Sequence, residues 1–297
     1  MYRLAHLSDL HATPVRVERV TDFVGKRFLG WISWQLRRQK THRPEVLEAL
    51  IADLREQRPD HIAITGDLTN VACPHEFSMA RQWLERIGTP AEVSLVPGNH
   101  DAYVAIPPEN SWDLWKPYLQ SDSGDTTFPT LRTRGAVAVV GVCSANPTAP
   151  GMASGTAGAD QLERLEQLLT RLGEGDLCRV VSIHHPINEG TVSPRRALTD
   201  AAELRAVLAR TGAELVLHGH GHRQHLEQVP GPDGPIPVVG VRSASDAGLK
   251  QHKRAQYHLY EIGDAAPGSS KRPIRLRIRG YDPTTGGCID EGERVLS

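Results

Sequence analysis

Cysteine is scarce in this chain: Cys73, Cys143, Cys178 and Cys288 are spread along 297 residues and never form a CxxC pair. That spacing excludes zinc-finger and dithiol redox sites, and the expectation is structural thiols in a reducing compartment. Long apolar runs are missing too, which excludes a membrane-spanning helix. Residues 1–8 contain Arg3 and His6 and lead straight into a carboxylate, so they lack the shape of an export signal and the expected location is cytoplasmic. Nor is there an excess of charge: 34 basic residues face 35 acidic ones, and a net charge of −1 marks no general nucleic-acid binder.

What the chain has is alternation. Short apolar runs at 2–7, 61–65, 93–96, 136–143, 179–183 and 214–217 read as strands, and helical periodicity lies between them at 44–57, 77–87, 160–172 and 199–211. Residues 236–241, 256–262 and 274–278 read as further strands. The stretch 107–135 reads as a long turn-rich loop with a helical piece at 112–119, and 263–270 as a connection too short to divide domains. This pattern predicts an α/β fold in one domain over 1–297.

Residues 12–45 depart from the pattern. They gather Phe23, Val24, Phe28, Leu29, Trp31, Ile32, Trp34 and Leu36, interleaved with Lys26, Arg27, Arg37, Arg38 and Lys40. Two readings stay open. One is an aromatic and basic helical insertion packed on the body with its cationic stems in water. The other is a surface at 23–40 that meets a membrane, a lipid or an anionic ligand.

Five of the β-runs end in side chains able to bind a metal: Asp9 with His11, Asp67, Asn99 with His100, His184, and His220 with His222. Where strands run mostly parallel, their ends share one rim, so oxygen and imidazole donors converge there. Such mixed donors suit Mn²⁺, Fe or Zn²⁺. The neighbouring His185 and His218 are expected to pack or to orient these groups, and His225, His252 and His258 to stay outside the site.

Taken in order, DLH, GD, GNHD, HHP and GHGH resemble the motif series of the calcineurin-like metallophosphoesterase superfamily, over at least residues 3–225. The resemblance implies a four-layer αββα sandwich with two mixed β-sheets flanked by helices. It also implies a centre of two divalent or mixed-valence ions, Mn²⁺ favoured. Matched position by position, Asp9, His11 and His222 would hold one ion and Asn99, His184 and His220 the other, with Asp67 bridging. His100 would be the acid that protonates the leaving group, its ring oriented by Asn70 or Asp101. The implied activity is a metal-dependent phosphoric ester hydrolase, foremost a phosphodiesterase cleaving a small nucleotide-like or organophosphate diester by attack of metal-bridged hydroxide. A second reading uses the Trp31 and Trp34 segment to hydrolyse the pyrophosphate of a nucleotide-linked lipid, as in the similar UDP-diacylglucosamine enzymes. A third is a scaffold of the same fold without activity, against which the complete donor set argues.

Overall fold

The computed structural model describes residues 1–16, 25–265 and 272–297; Phe23, Val24 and most of the 263–270 connection lie outside the described residues. Twelve strands occur among them: β1 (Tyr2–Leu7), β2 (His61–Ile64), β3 (Val93–Leu95), β4 (Thr130–Arg134), β5 (Val137–Val142), β6 (Cys178–Ile183), β7 (Leu215–His218), β8 (His225–Val229), β9 (Ile236–Gly240), β10 (Gln256–Ile262), β11 (Ile274–Asp282) and β12 (Gly287–Val295). They form two six-stranded mixed sheets, ordered β12-β11-β10-β1-β2-β3 and β4-β5-β6-β7-β9-β8. The parallel parts are β1-β2-β3 in the first and β5-β6-β7-β9 in the second.

The central strands carry apolar residues on both faces because both faces are covered. In β1, Ala5 and Leu7 enter the core beneath the helices Pro44–Gln57 and Pro74–Ile87, while Leu4 enters the layer shared with Val139, Val180 and Leu217 of the second sheet. In β6, Val181 and Ile183 turn instead toward the helices Ala159–Gly173 and Ala201–Thr211. Period-two alternation thus builds the four layers αββα. Helix Pro44–Gln57 buries Val46, Leu47, Leu50, Ile51 and Leu54, and each such side chain contributes about 1.5–3 kcal/mol. Burial pushes the thiols of Cys143, Cys178 and Cys288 up to about 12, as befits structural cysteines. No described helix is long and apolar enough to cross a membrane.

Three strands were not expected from the sequence: β4 inside the stretch read as a loop, β8, and β12. Each is a sheet edge, and β12 is mostly exposed. An edge strand with little buried surface needs no apolar alternation; its ladder partner places it.

Candidate metal centre

The ends of β1, β2, β3, β6 and β7 deliver all the sequence-nominated donors to one place. Asp9, His11 and His222 form one group and Asp67, His184 and His220 another, with the donor atoms of each group within 4.8 Å of one another. His222 Nε2 lies 3.0 Å from Asp9 Oδ1, and His220 Nδ1 lies 3.2 Å from His184 Nε2. Asn99 Oδ1 is 3.1 Å from the same His184 nitrogen. Asp67 Oδ2 sits between the groups, 3.6 Å from His11 Nε2 and 3.4 Å from His184 Nε2. Donors held about 2.0–2.2 Å from one ion are spaced in this way.

The chain fixes which atom of each side chain faces the centre. A carbonyl oxygen can only accept, so a ring nitrogen against it must carry the proton. His11 Nδ1 donates to Thr69 O (2.8 Å), His184 Nδ1 to Thr65 O (2.6 Å) and His220 Nε2 to Arg196 O (2.9 Å). The opposite nitrogen of each ring therefore points inward, an arrangement typical of ligating histidines. The carboxylates are handled alike: the His220 N–H binds Asp9 Oδ2 (3.0 Å) and the His100 N–H binds Asp67 Oδ1 (2.7 Å), leaving Asp9 Oδ1 and Asp67 Oδ2 for the interior. His11 Nε2 is buried and makes no hydrogen bond, an arrangement that a cation would satisfy, and Asp9 Oδ1 is buried with His222 Nε2 beside it.

Backbone strain is concentrated here. Of seven described non-glycine residues with positive φ, five are Asp9, His11, Asp67, His220 and His222, and such conformations persist where the surroundings dictate them. Two glycines allow the approach. A Cβ at Gly98 would collide with the Asp67 carboxylate, and one at Gly219 with Ser8 and Asp9. Burial opposes ionisation of Asp67, yet His184, His100 and His11 hold its carboxyl well below the usual range. Burial likewise opposes charging His184, and the Asp67 anion overrides it, lifting that ring to about 9. The site is therefore built around an anion that requires positive charge beside it.

His100 is held from two sides. Its Nδ1 donates to Asn70 O, and Arg38 Nη2 donates to its Nε2 at 2.7 Å. The ring is oriented by the Asn70 main chain. Asp101 is occupied otherwise, its carboxylate accepting the N–H groups of Asp67, Leu68, Thr69 and Gly98. With both nitrogens committed His100 has no lone pair for an ion, although it lies close to His11 and Asp67. Burial, reinforced by the Arg38 charge, lowers it to about 3.

Of the other histidines, His185 bonds Ser144 Oγ and Ala153 O while packing on His220. His218 packs on Gly240, and His258 lies in β10 between Gln256 and Tyr260. Three further residues at the site were not nominated from sequence. Arg38 and Arg196 line the cavity over the centre, and His42 packs on His11 with ring centroids 4.7 Å apart, its Nδ1 against Ser245 Oγ.

The profile of the calcineurin-like phosphoesterases matches residues 2–224. A Synechococcus protein described as a probable cyclic nucleotide phosphodiesterase is 27% identical over 184 residues, which are 60% of this chain and 64% of that protein; the chain thus matches less than two-thirds of that relative's length. A glycerophosphodiester phosphodiesterase from Enterobacter lignolyticus is 46% identical over 48 residues, 16% of either protein. Among solved structures, a dimetal phosphatase from Danio rerio superposes with a TM-score of 0.65 over 100% of this chain and 98% of that one, at 12% identity. A purple acid phosphatase from yellow lupin seeds gives 0.58 over 97% and 52%, at 11% identity. At these identities the two structures share the fold alone. The profile match takes in every strand end that feeds the centre, and by it the chain belongs to the calcineurin-like phosphoesterases.

Proposed function

We propose that the chain is a phosphodiesterase that hydrolyses a small nucleotide-like or organophosphate diester. The observation that carries this reading is the two donor groups with Asp67 Oδ2 between them, at a cavity of about 680 Å³ that Asp67, Asn99, His220 and His222 help to line, a volume suited to a small ligand. Asp9, His11 and His222 would hold one ion, Asn99, His184 and His220 the second, and Asp67 both; the orphaned His11 Nε2 fits this assignment. Two such ions, with Mn²⁺, Fe or Zn²⁺ all suited to the mixed donors, would supply a water-derived nucleophile at neutral pH and neutralise the phosphoryl oxygens.

The chain's own groups do the rest. Arg38 and Arg196 face the cavity and offer N–H donors to the non-bridging phosphate oxygens. An incoming phosphate anion draws Arg38 off His100, so that Nε2 loses its cationic neighbour, takes up a proton from solvent and passes it to the leaving oxygen, while Asn70 O keeps the ring aimed. The relatives described as diesterases support this preference. The test is Mn²⁺-stimulated hydrolysis of bis(p-nitrophenyl) phosphate. Asp67→Ala and Asn99→Ala are each expected to lower kcat by about 10³ or more, and full activity in both overturns the assignment.

A second reading, cleavage of the pyrophosphate of a nucleotide-linked lipid, is favoured by one observation. Phe28, Leu29 and Leu36 of the insertion, with Leu249 across the cavity, are exposed large apolar side chains.

A further inference from the structure

The cavity over the metal centre carries far more positive charge than one phosphodiester can match. Arg37, Arg38, Lys40, Arg196, Lys250 and Lys253 all line it, and among the described residues none lies within ion-pair distance of a carboxylate. Among the described residues only two carboxylates line the same cavity. Asp67 belongs to the metal centre, and Asp246 is buried and accepts the Gly248 N–H at 2.8 Å. The chain as a whole has a net charge of −1, and three of its six lysines line this one cavity. A charge imbalance of this kind, concentrated at one concave mouth, selects an anionic ligand.

The cations divide by depth. Arg38 lies partly buried against His100, whereas Arg37, Lys40 and Lys250 are exposed and Lys253 is half-buried. They come from two segments, the end of the insertion helix and the turn at 246–253, and these segments are tied together. Ala247 N–H donates to Thr41 O (2.8 Å), Arg43 N–H donates to Ser245 O (2.9 Å), and His42 bridges Asp246. The outer lysines therefore stand on a fixed rim.

We propose that this rim is a second anion subsite: the substrate is a phosphodiester whose alcohol portion bears another phosphate, held by Lys40, Lys250 and Lys253 while the diester phosphorus lies over the metal centre. This rests on the phosphodiesterase reading and names the substrate class within it. A diester contributes one negative charge to the floor, where Arg38 and Arg196 already meet it. The second phosphate supplies the charge that the rim lacks.

The test compares two glycerophosphodiesters that differ by one phosphate, glycerophosphoinositol and glycerophosphoinositol 4-phosphate, with the Mn²⁺-loaded enzyme. The phosphorylated substrate is expected to have a kcat/KM about tenfold higher or more, through KM, with the ratio shrinking as ionic strength rises. Replacing Lys40, Lys250 and Lys253 together by Gln is expected to bring the ratio near one. Competition by inositol 1,4-bisphosphate marks a soluble second phosphate, and stronger competition by vesicles of phosphatidylinositol 4-phosphate marks a lipid headgroup. The subsite is overturned if wild-type enzyme turns over both diesters equally, if the triple variant keeps the ratio, or if neither competitor acts. An enzyme that also leaves bis(p-nitrophenyl) phosphate intact removes the phosphodiesterase reading, and the subsite with it.

Discussion

Arg38 and Asn70 act on one imidazole from opposite sides, the first as donor to His100 Nε2 and the second as carbonyl acceptor from Nδ1. The guanidinium both contacts the ring and lines the cavity that an incoming phosphate would enter. Arg38→Ala is therefore expected to lower kcat/KM on bis(p-nitrophenyl) phosphate by about 10²–10³, with Arg38→Lys restoring only part because an ammonium lacks the planar fork. Burial holds His100 down and Arg38 adds to that, so losing the cation also moves the alkaline limb of the pH–rate profile, the limb set by the general acid, to higher pH. Kinetics measured beside metal content decide the matter. Activity lost with Mn²⁺ retained is the expected result, and a wild-type kcat/KM in Arg38→Ala overturns it. At this scale Asp9, His11, Asp67, Asn99, His184, His220 and His222 are legible in the sequence because each follows an apolar run. Arg38 is visible only as one of five cations in an atypical segment, and His42 not at all, since neither stands at a strand end. The choice of Asn70 over Asp101 as the partner of His100 was closed to sequence, because the bond is made by main chain.

The insertion is anchored more firmly than its composition suggests. Trp34 is buried with Val15, Val71 and Cys73, Arg27 donates to Val71 O and Ala72 O, and Lys26 stacks on Tyr103 at 4.4 Å. Between Lys26–Ser33 and Gln39–Thr41 the helix opens into a π-turn, Trp34–Arg38, which begins at that anchor and ends at the residue that reaches His100; such turns recur at functional sites. Of the two readings of this segment, packing accounts for Trp34, while Phe28, Leu29 and Leu36 remain exposed at 45%, 54% and 71%. A lipid role therefore belongs to those three side chains and not to the tryptophans. If the substrate is lipid-linked, the protein is expected to co-sediment with anionic vesicles, and Phe28→Ser with Leu29→Ser and Leu36→Ser to abolish this without loss of fold. Absence of co-sedimentation by the wild-type chain counts against the lipid reading. Buried strands and amphipathic helices are legible in the sequence because their burial imposes a period. The edge strands β4, β8 and β12 are not, because ladder pairing places them, and little of the surface of β12 is covered.

For the molecule as a whole, the interior between and around the two sheets carries histidines that fold neutral. His6 bonds Thr65 Oγ1, His61 bonds Ser94 Oγ, and His258 lies against Gln256 and Tyr260, all away from the candidate metal ligands. Burial lowers His61 and His258 to about 3 and His6 well below its ordinary value. In the unfolded chain each takes up a proton near pH 6.5, so below that pH the unfolded state binds protons that the folded state refuses. Stability is therefore level above about pH 7 and falls as the pH drops, by about 1.4 kcal/mol per pH unit for each such histidine once well below 6.5. Most carboxylates titrate lower, but burial beside Asp67 raises Asp101 to about 7, so between about pH 6.5 and 5 the imidazoles are read from the change in slope when they are replaced. Thermal melts in chelator across that interval are expected to show a falling Tm, with a shallower fall in His61→Gln and His258→Gln, whose amides can still hydrogen-bond. A Tm independent of pH between 7 and 5, or an unchanged slope in the double variant, shows that these rings do not set the acid stability of the fold.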